Sequence, residues 1–354
     1  MTAVRALARL AAGFLLAFSL VGAPVTSAVE AGSEAIDLRA TPIAFFRIGR
    51  TETRFGALEF RGGLQVSSSE SLFGSLSGLD FMPDGRLLAV SDTGYWFTAR
   101  LTEEDGRLTG IADGHLAPIL DSRGRQLAGK QRSDAEGLRI VPRGDGFDAL
   151  VSFEQRNDLM RFSGPDLAAA RSQRVRLPAT LTGLPRNRGL ESVAVAPKNG
   201  PLGGATVLIA ERSPDRAGNH RGWIVGGPRA GMFSLVRSGD FDISDAAFLP
   251  GGDLLVLERR FTLIGGFAMR IRRIAAADLV PGATVDGRVL VEADLRFQID
   301  NMEGMAVRPG ENGETLITLC SDDNGLVVQR TILLQFALPP DATPLPRRHP
   351  LANR

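Results

Sequence analysis

Cysteine, histidine and lysine are nearly missing from this 354-residue chain: one Cys, three His and two Lys, the lysines at 130 and 198. The lone Cys320 has no partner for an intramolecular disulfide and cannot build a Cys-based zinc site. Its neighbours Leu316, Ile317 and Leu319 read as a strand that buries it. His115, His220 and His349 stand at no ligand spacing, which removes a His-based zinc site. A Ser-His-Asp hydrolase would need His115 or His220 as its base, yet no nucleophile elbow accompanies them. Gly74-Ser75-Leu76-Ser77-Gly78 has Leu at its centre, and His220 reads as an exposed histidine in the loop 215–222. No glycine pattern follows a strand and opens a helix as a phosphate or dinucleotide loop must.

Charge of one sign is also lacking. With 41 basic and 40 acidic residues and no basic stripe, the chain has no electrostatic footprint for nucleic acid. Arg5 and Arg9 precede an apolar run, 10–23, and the small-residue stretch Val25-Thr26-Ser27-Ala28. That run is too short for a membrane span and reads as a signal peptide, residues 1–28, with no transmembrane segment left after its removal. Export to the periplasm or beyond is the expectation, as a monomer carrying 39 basic and 40 acidic residues. Residues 339–354, with five prolines, read as a flexible tail.

What the chain does have is glycine (41), proline (20) and a repeat. A short apolar strand ending in Pro83, Pro142, Pro197, Pro250 or Pro309 is followed by a Gly-rich turn and a second apolar strand ending in an acid. The prolines lie 59, 55, 53 and 59 residues apart, a period that suits a four-stranded sheet with loops. Radially stacked sheets of this kind bury faces that a single sheet leaves open. The expected fold is therefore all-β, a β-propeller over residues 29–338 with five visible repeats. Spare strand-like segments at 43–48, 58–66 and 331–338 complete a fifth blade or form a sixth, and six is favoured over five.

Leu76-Ser77-Gly78-Leu79-Asp80, Asp134-Ala135-Glu136-Gly137-Leu138, Asn187-Arg188-Gly189-Leu190-Glu191, Leu257-Glu258-Arg259-Arg260-Phe261, Asn301-Met302-Glu303-Gly304-Met305 and Ser321-Asp322-Asp323-Asn324 occur in this order. Together with Ser91-Asp92 they resemble the phytase-like domain family, also described as the esterase-like activity of phytase family. The resemblance runs from about 58 to 338. It implies an exported propeller distantly related in architecture to calcium-dependent propeller phytases, and it supplies no catalytic set.

Candidate site residues come from the repeat itself. Six places before each proline stand Ser77, Glu136, Glu191, Ser244 and Glu303, with Asp245 one place later in the fourth copy; the second strands end in Asp92, Glu154, Glu211, Glu258 and Asp322. An antiparallel hairpin brings these positions to one end, so a ring of carboxylates is expected at a channel mouth. Such a ring needs positive charge. Calcium is one solution, with Glu136, Glu154, Glu191, Glu211, Glu303 and Asp322 as ligands. Arginine is the other, and interblade ion pairing alone would also gather these groups. On the enzyme reading, Glu136 and Glu303 with Arg156, Arg212 and Arg259 carry catalysis, while Arg188, Arg260, Asp92 and Asp245 bind substrate. The substrate is a small anionic or ester molecule, cleaved as a phosphate or carboxylic ester. A non-catalytic binding propeller and a calcium-dependent lactonase are the alternatives.

Overall fold

The computed structural model describes residues 32–181, 184–186 and 188–340. The leader segment 1–28 and nearly all of the tail fall outside them. Five sheets account for the described strands. In chain order their innermost strands are Leu76–Phe81, Ala135–Arg143, Leu190–Val195, Asp242–Phe248 and Asn301–Pro309. Each pairs antiparallel with the next strand of its own repeat, and each packs against the innermost strands of both neighbours, so that the fifth closes on the first. The architecture is a five-bladed β-propeller.

Six blades are not formed, because both spare ends enter the fifth sheet. Leu58–Ser68 pairs along Thr331–Leu338, with Thr331 opposite Val66 and Ala337 opposite Glu59, and Leu38–Ile43 covers its outer edge. An amino-terminal strand thus completes the sheet begun by the last repeat, which closes the circle and removes two free edges. The expected strand at 43–48 ends at Ile43; beyond it, Phe46 turns inward and stacks on Phe55, Phe60, Phe297 and Phe336. Residues 165–170 form a turn in which Asp166 Oδ1 accepts from the Ala168 and Ala169 amides.

The strands read as continuous apolar runs because blades bury both faces: all five residues of Leu87–Ser91 and all eight of Thr331–Leu338 are buried. Apolar side chains gather into five clusters, each filling the space between neighbouring blades. Fully burying one such leucine contributes about 1.5–3 kcal/mol, so these clusters supply the stability that no disulfide provides. Cys320 lies inside one of them, and burial raises its thiol far above the ordinary range. His220 is not on an exposed loop. It starts the strand His220–Val225, buried, with its Nε2–H donating to the Phe241 carbonyl at 3.2 Å, and burial lowers its pKa.

One side chain crosses the axis. Arg139 of the second blade donates to the Val193 carbonyl (3.1 Å) in the third, to Ala246 (2.7 Å) in the fourth and to Met305 (3.3 Å) in the fifth. Its guanidinium also lies 3.5 Å from the carboxylates of Asp80 and Asp245. All five blades meet on this one fork.

Candidate functional site

The register of each inner hairpin determines what reaches the mouth. Leu76 pairs with Ser91 and Gly78 with Val90, so Ser77 is skipped; Glu191, Ser244 and Glu303 are skipped in the same way between Leu190/Ser192, Ile243/Asp245 and Met302/Gly304. In the second blade the ladder slips over Glu136 and Gly137 opposite Ser152. Every blade carries a β-bulge at the same place. A bulge adds one residue and re-aims its side chain, and here it brings Ser77, Glu136, Glu191 and Glu303 to one mouth.

The same register identifies the partner positions. Met302 faces Ser321 and Leu190 faces Ala210, which makes Asp322 and Glu211 the next residues along their strands. Ile243 faces Glu258, so in the fourth blade the corresponding residue is Arg259. Glu258 instead lies fully buried within its blade, where Arg270 Nε (2.5 Å) and Arg272 Nη2 (2.6 Å) meet its carboxylate.

A cavity of about 430 Å³ is lined by Ser77, Glu136, Glu191 and Glu303 from the bulges and by Asp92, Glu154, Glu211, Arg259 and Asp322 from the second strands. Lys130, Asn301, Asn324 and Gln329 complete its polar wall; Phe261, Phe267 and Leu326 form an apolar one. Seven of the expected acids therefore meet. Arg259 is the guanidinium among them, 3.0 Å from Glu303 Oε2 and 3.2 Å from Glu211 Oε1, with Asn301 Oδ1 accepting from it at 3.3 Å.

Other expected residues are placed elsewhere. Arg156 ion-pairs with Asp158 at 2.8 Å and lines a separate cleft on the flank of the second blade, with Arg125, Arg132 and Arg174. Arg212 is drawn to Asp242. Arg260 donates to the Gly239 carbonyl at 3.0 Å and lies over the Phe241 ring. Asp245 is the residue after the bulge, so it faces away from the mouth toward Arg139 and accepts from the Met305 and Ala246 amides at 2.8 and 2.7 Å. Arg188 is exposed and does not line the cavity. Asp134 was not expected: it precedes the second repeat, and its neighbour Glu136 was the visible acid. The run 322–325 makes turns, with Asp322 Oδ1 accepting from Asn324 N (2.6 Å) and Asp323 Oδ1 from Gly325 N (3.1 Å).

Crowding sets the electrostatics. Burial, then the charge of Glu211, brings Glu154 to about 7. Burial carries Glu303 to about 8 against the pull of Arg259, and Asp322 to about 7. Glu136 and Glu191 are raised well above the carboxylate range by burial and by the acids beside them. A cation relieves such a cluster as effectively as protons do. Oxygens of Asp134, Glu136 and Glu154 lie within 4.8 Å of one another, as do those of Glu154, Glu191 and Glu211. Asp92 Oδ1 and Asp134 Oδ1 are buried and make no close hydrogen bond, the nearest cation to Asp134 Oδ1 being Lys130 Nζ at 3.6 Å. Convergent hard oxygens with unused lone pairs fit a divalent cation such as calcium.

A family model described as "Phytase-like: Esterase-like activity of phytase" matches residues 71–325. No curated protein matches the chain. Among solved structures it is similar to a thermostable family-43 glycoside hydrolase, at 12% identity, covering 80% of this chain and 98% of that one with a TM-score of 0.47. It is also similar to a Trichoderma reesei carbohydrate-active enzyme of family AA12 (11% identity, 81% and 99% covered, TM-score 0.39). A third is a Bombyx mori GH32 β-fructofuranosidase (10% identity, 73% and 58% covered, TM-score 0.41). Among the described residues no helix is long and apolar enough to cross a membrane.

Proposed function

The chain belongs to the phytase-like family, and from that premise we propose that it is an exported hydrolase that cleaves phosphate or carboxylic esters in the carboxylate-lined mouth, assisted by calcium. The supporting observation is the bulge repeated in every blade, which aims acids from several blades into one cavity of about 430 Å³. Asp134, Glu136, Glu154, Glu191 and Glu211 would hold the cation, Glu154 being common to both groupings. When bound, calcium supplies positive charge that polarises the ester oxygen.

The remaining groups divide the other tasks. Arg259 presents its guanidinium where negative charge develops, and its hold on Glu303 and Glu211 keeps that fork in place. Glu303 retains a proton at neutral pH and is the acid for the leaving oxygen; Asn301 Nδ2 donates to its Oε1 at 2.8 Å and sets its orientation. Asp322, at about 7, is the base that takes a proton from water.

The test is to purify the exported form, measure bound metal, and assay aryl phosphates, phytate and short aryl esters with and without chelator. Turnover that chelator abolishes and calcium restores is expected, with Glu303→Gln lowering kcat by about 10²–10⁴-fold. Calcium binding without turnover of any ester overturns the enzyme reading and leaves a binding propeller; turnover of lactones alone redirects it to a lactonase.

A further inference from the structure

The mouth has one apolar side, and it is the side that projects furthest into water. In the fourth blade, the hairpin joining Leu254–Thr262 to Gly266–Ile274 carries Leu263 at 96% and Ile264 at 101% exposure. In the fifth, the loop after Thr315–Asp322 carries Val327 at 104% and Val328 at 87%. With Phe261 and Leu326 these make six of the twelve exposed large hydrophobic side chains among the described residues. Scattered single leucines on a surface need no explanation, but half of the total concentrated on two adjacent loops does.

Both loops run directly into the reaction cavity. Phe261 and Phe267 line it, ring to ring at 4.9 Å, and Leu326 lines it from the other loop. Neither loop is loosely held at its base. The Thr262 hydroxyl accepts from Gly265 N at 2.9 Å, and Asp323 Oδ2 accepts from the Thr331 hydroxyl at 2.6 Å. The apolar tips are therefore displayed on anchored stems that begin beside Arg259 and Asp322.

Resting on the ester-hydrolase reading, we infer that the two loops form an acyl subsite, and that the substrate class is carboxylic esters bearing a hydrophobic chain rather than small polar phosphate esters. The ester group sits among the carboxylates and Arg259, while the chain runs out across Phe261, Phe267 and Leu326 to the Leu263 and Val327 tips. A phytate-like polyanion finds no partner on this wall. An alkyl or aryl chain there removes apolar surface from water on both molecules at once.

The experiment compares p-nitrophenyl acetate, butyrate and octanoate in the calcium-loaded full chain and in a quadruple variant, Leu263→Ser, Ile264→Ser, Val327→Ser and Val328→Ser. The expected kcat/KM for octanoate exceeds that for acetate at least tenfold, and this ratio falls at least tenfold in the variant. Titration calorimetry with N-methyloctanamide against N-methylacetamide reads the subsite without turnover, and tenfold tighter binding of the octanoyl amide, lost in the variant, is expected. Turnover with a flat chain-length profile overturns the subsite and leaves the hydrolase. Absence of all ester turnover sinks the hydrolase reading, and the amide titration then decides the subsite alone: equal affinities overturn it. Loss of binding to phosphatidylcholine vesicles in the variant, with the chain-length ratio intact, also overturns it and makes the loops a lipid-docking rim.

Discussion

Arg259 is the residue on which the mouth turns, because it offsets Glu303 and Glu211 directly while Lys130, the other cation lining the cavity, sits 3.6 Å from Asp134 and 3.9 Å from Asp92. Its own pKa is raised by the acids around it, which is the reciprocal of the same attraction. Breaking a fully buried ion pair costs about 3–5 kcal/mol because the remaining charge is stranded. The Arg259 side chain keeps 27% of its exposure, so water takes up part of that loss. Arg259→Gln is expected to lower stability by about 2 kcal/mol in urea titration with chelator at pH 9, where Glu303 is charged beside Arg259. The loss is expected to shrink at pH 5.5, where Glu303 carries a proton in either protein. A loss that is larger at pH 5.5 would show that Arg259 acts through packing and not through charge.

At the scale of the element, the glycines after the bulges explain how the blades come close enough to share a site. A Cβ on Gly137 would lie 2.6 Å from the Glu191 carbonyl oxygen and 2.8 Å from the Val193 nitrogen, and one on Gly78 would lie 2.3 Å from the Glu136 carbonyl oxygen. These are backbone atoms of the next blade and cannot rotate away. Overpacking a core costs about 1–3 kcal/mol. Gly137→Ala is expected at the upper end of that range in thermal or urea unfolding, with weaker calcium binding because Glu136 and Glu191 are pushed apart; an unchanged midpoint would refute the close approach. This element also marks the limit of what the residues alone disclose. The proline period exposed the repeat, the propeller and most of the ring, since Glu136, Glu191 and Glu303 sit at one offset from Pro142, Pro197 and Pro309. The bulge was not visible, because one extra residue changes a facing direction without changing the spacing. Hence Asp245, one place beyond the bulge, was expected at the mouth and lies on the axis, and Glu258 was counted where Arg259 stands. Arg156 and Arg212 follow their acids in sequence, but Arg156 lies in the short helical turn Glu154–Arg156 and Arg212 on the irregularly paired end of Thr206–Pro214, and Asp158 and Asp242 claim them. The apolar rim is not legible in the sequence for another reason: Leu263 and Ile264 look like ordinary strand residues until the hairpin places them at its tip.

Across the whole molecule, the acid ring makes folding itself a proton-linked reaction. Glu303 at about 8 and Glu154 and Asp322 at about 7 lie above the ordinary range near 4 that the unfolded chain restores. Between roughly pH 4.5 and 8 the folded protein therefore holds more protons than the unfolded one, and stability falls as pH rises through that window. Each group protonated only in the folded state contributes a slope of about 1.4 kcal/mol per pH unit. Acids of the opposite kind, such as Asp121, held at about 2 by its bonds with Arg125, withdraw stability only at much lower pH. In chelator, Tm is expected to be highest near pH 5 and to drop by several degrees by pH 8. On the proposed reading calcium would bind the deprotonated ring of the folded state alone, so added calcium should restore little at pH 5 and most of the lost Tm at pH 8. A Tm that stays level or climbs from pH 5 to 8 in chelator would mean that the five blades hold these carboxylates charged without help, and that neither protons nor a cation are needed to close the ring.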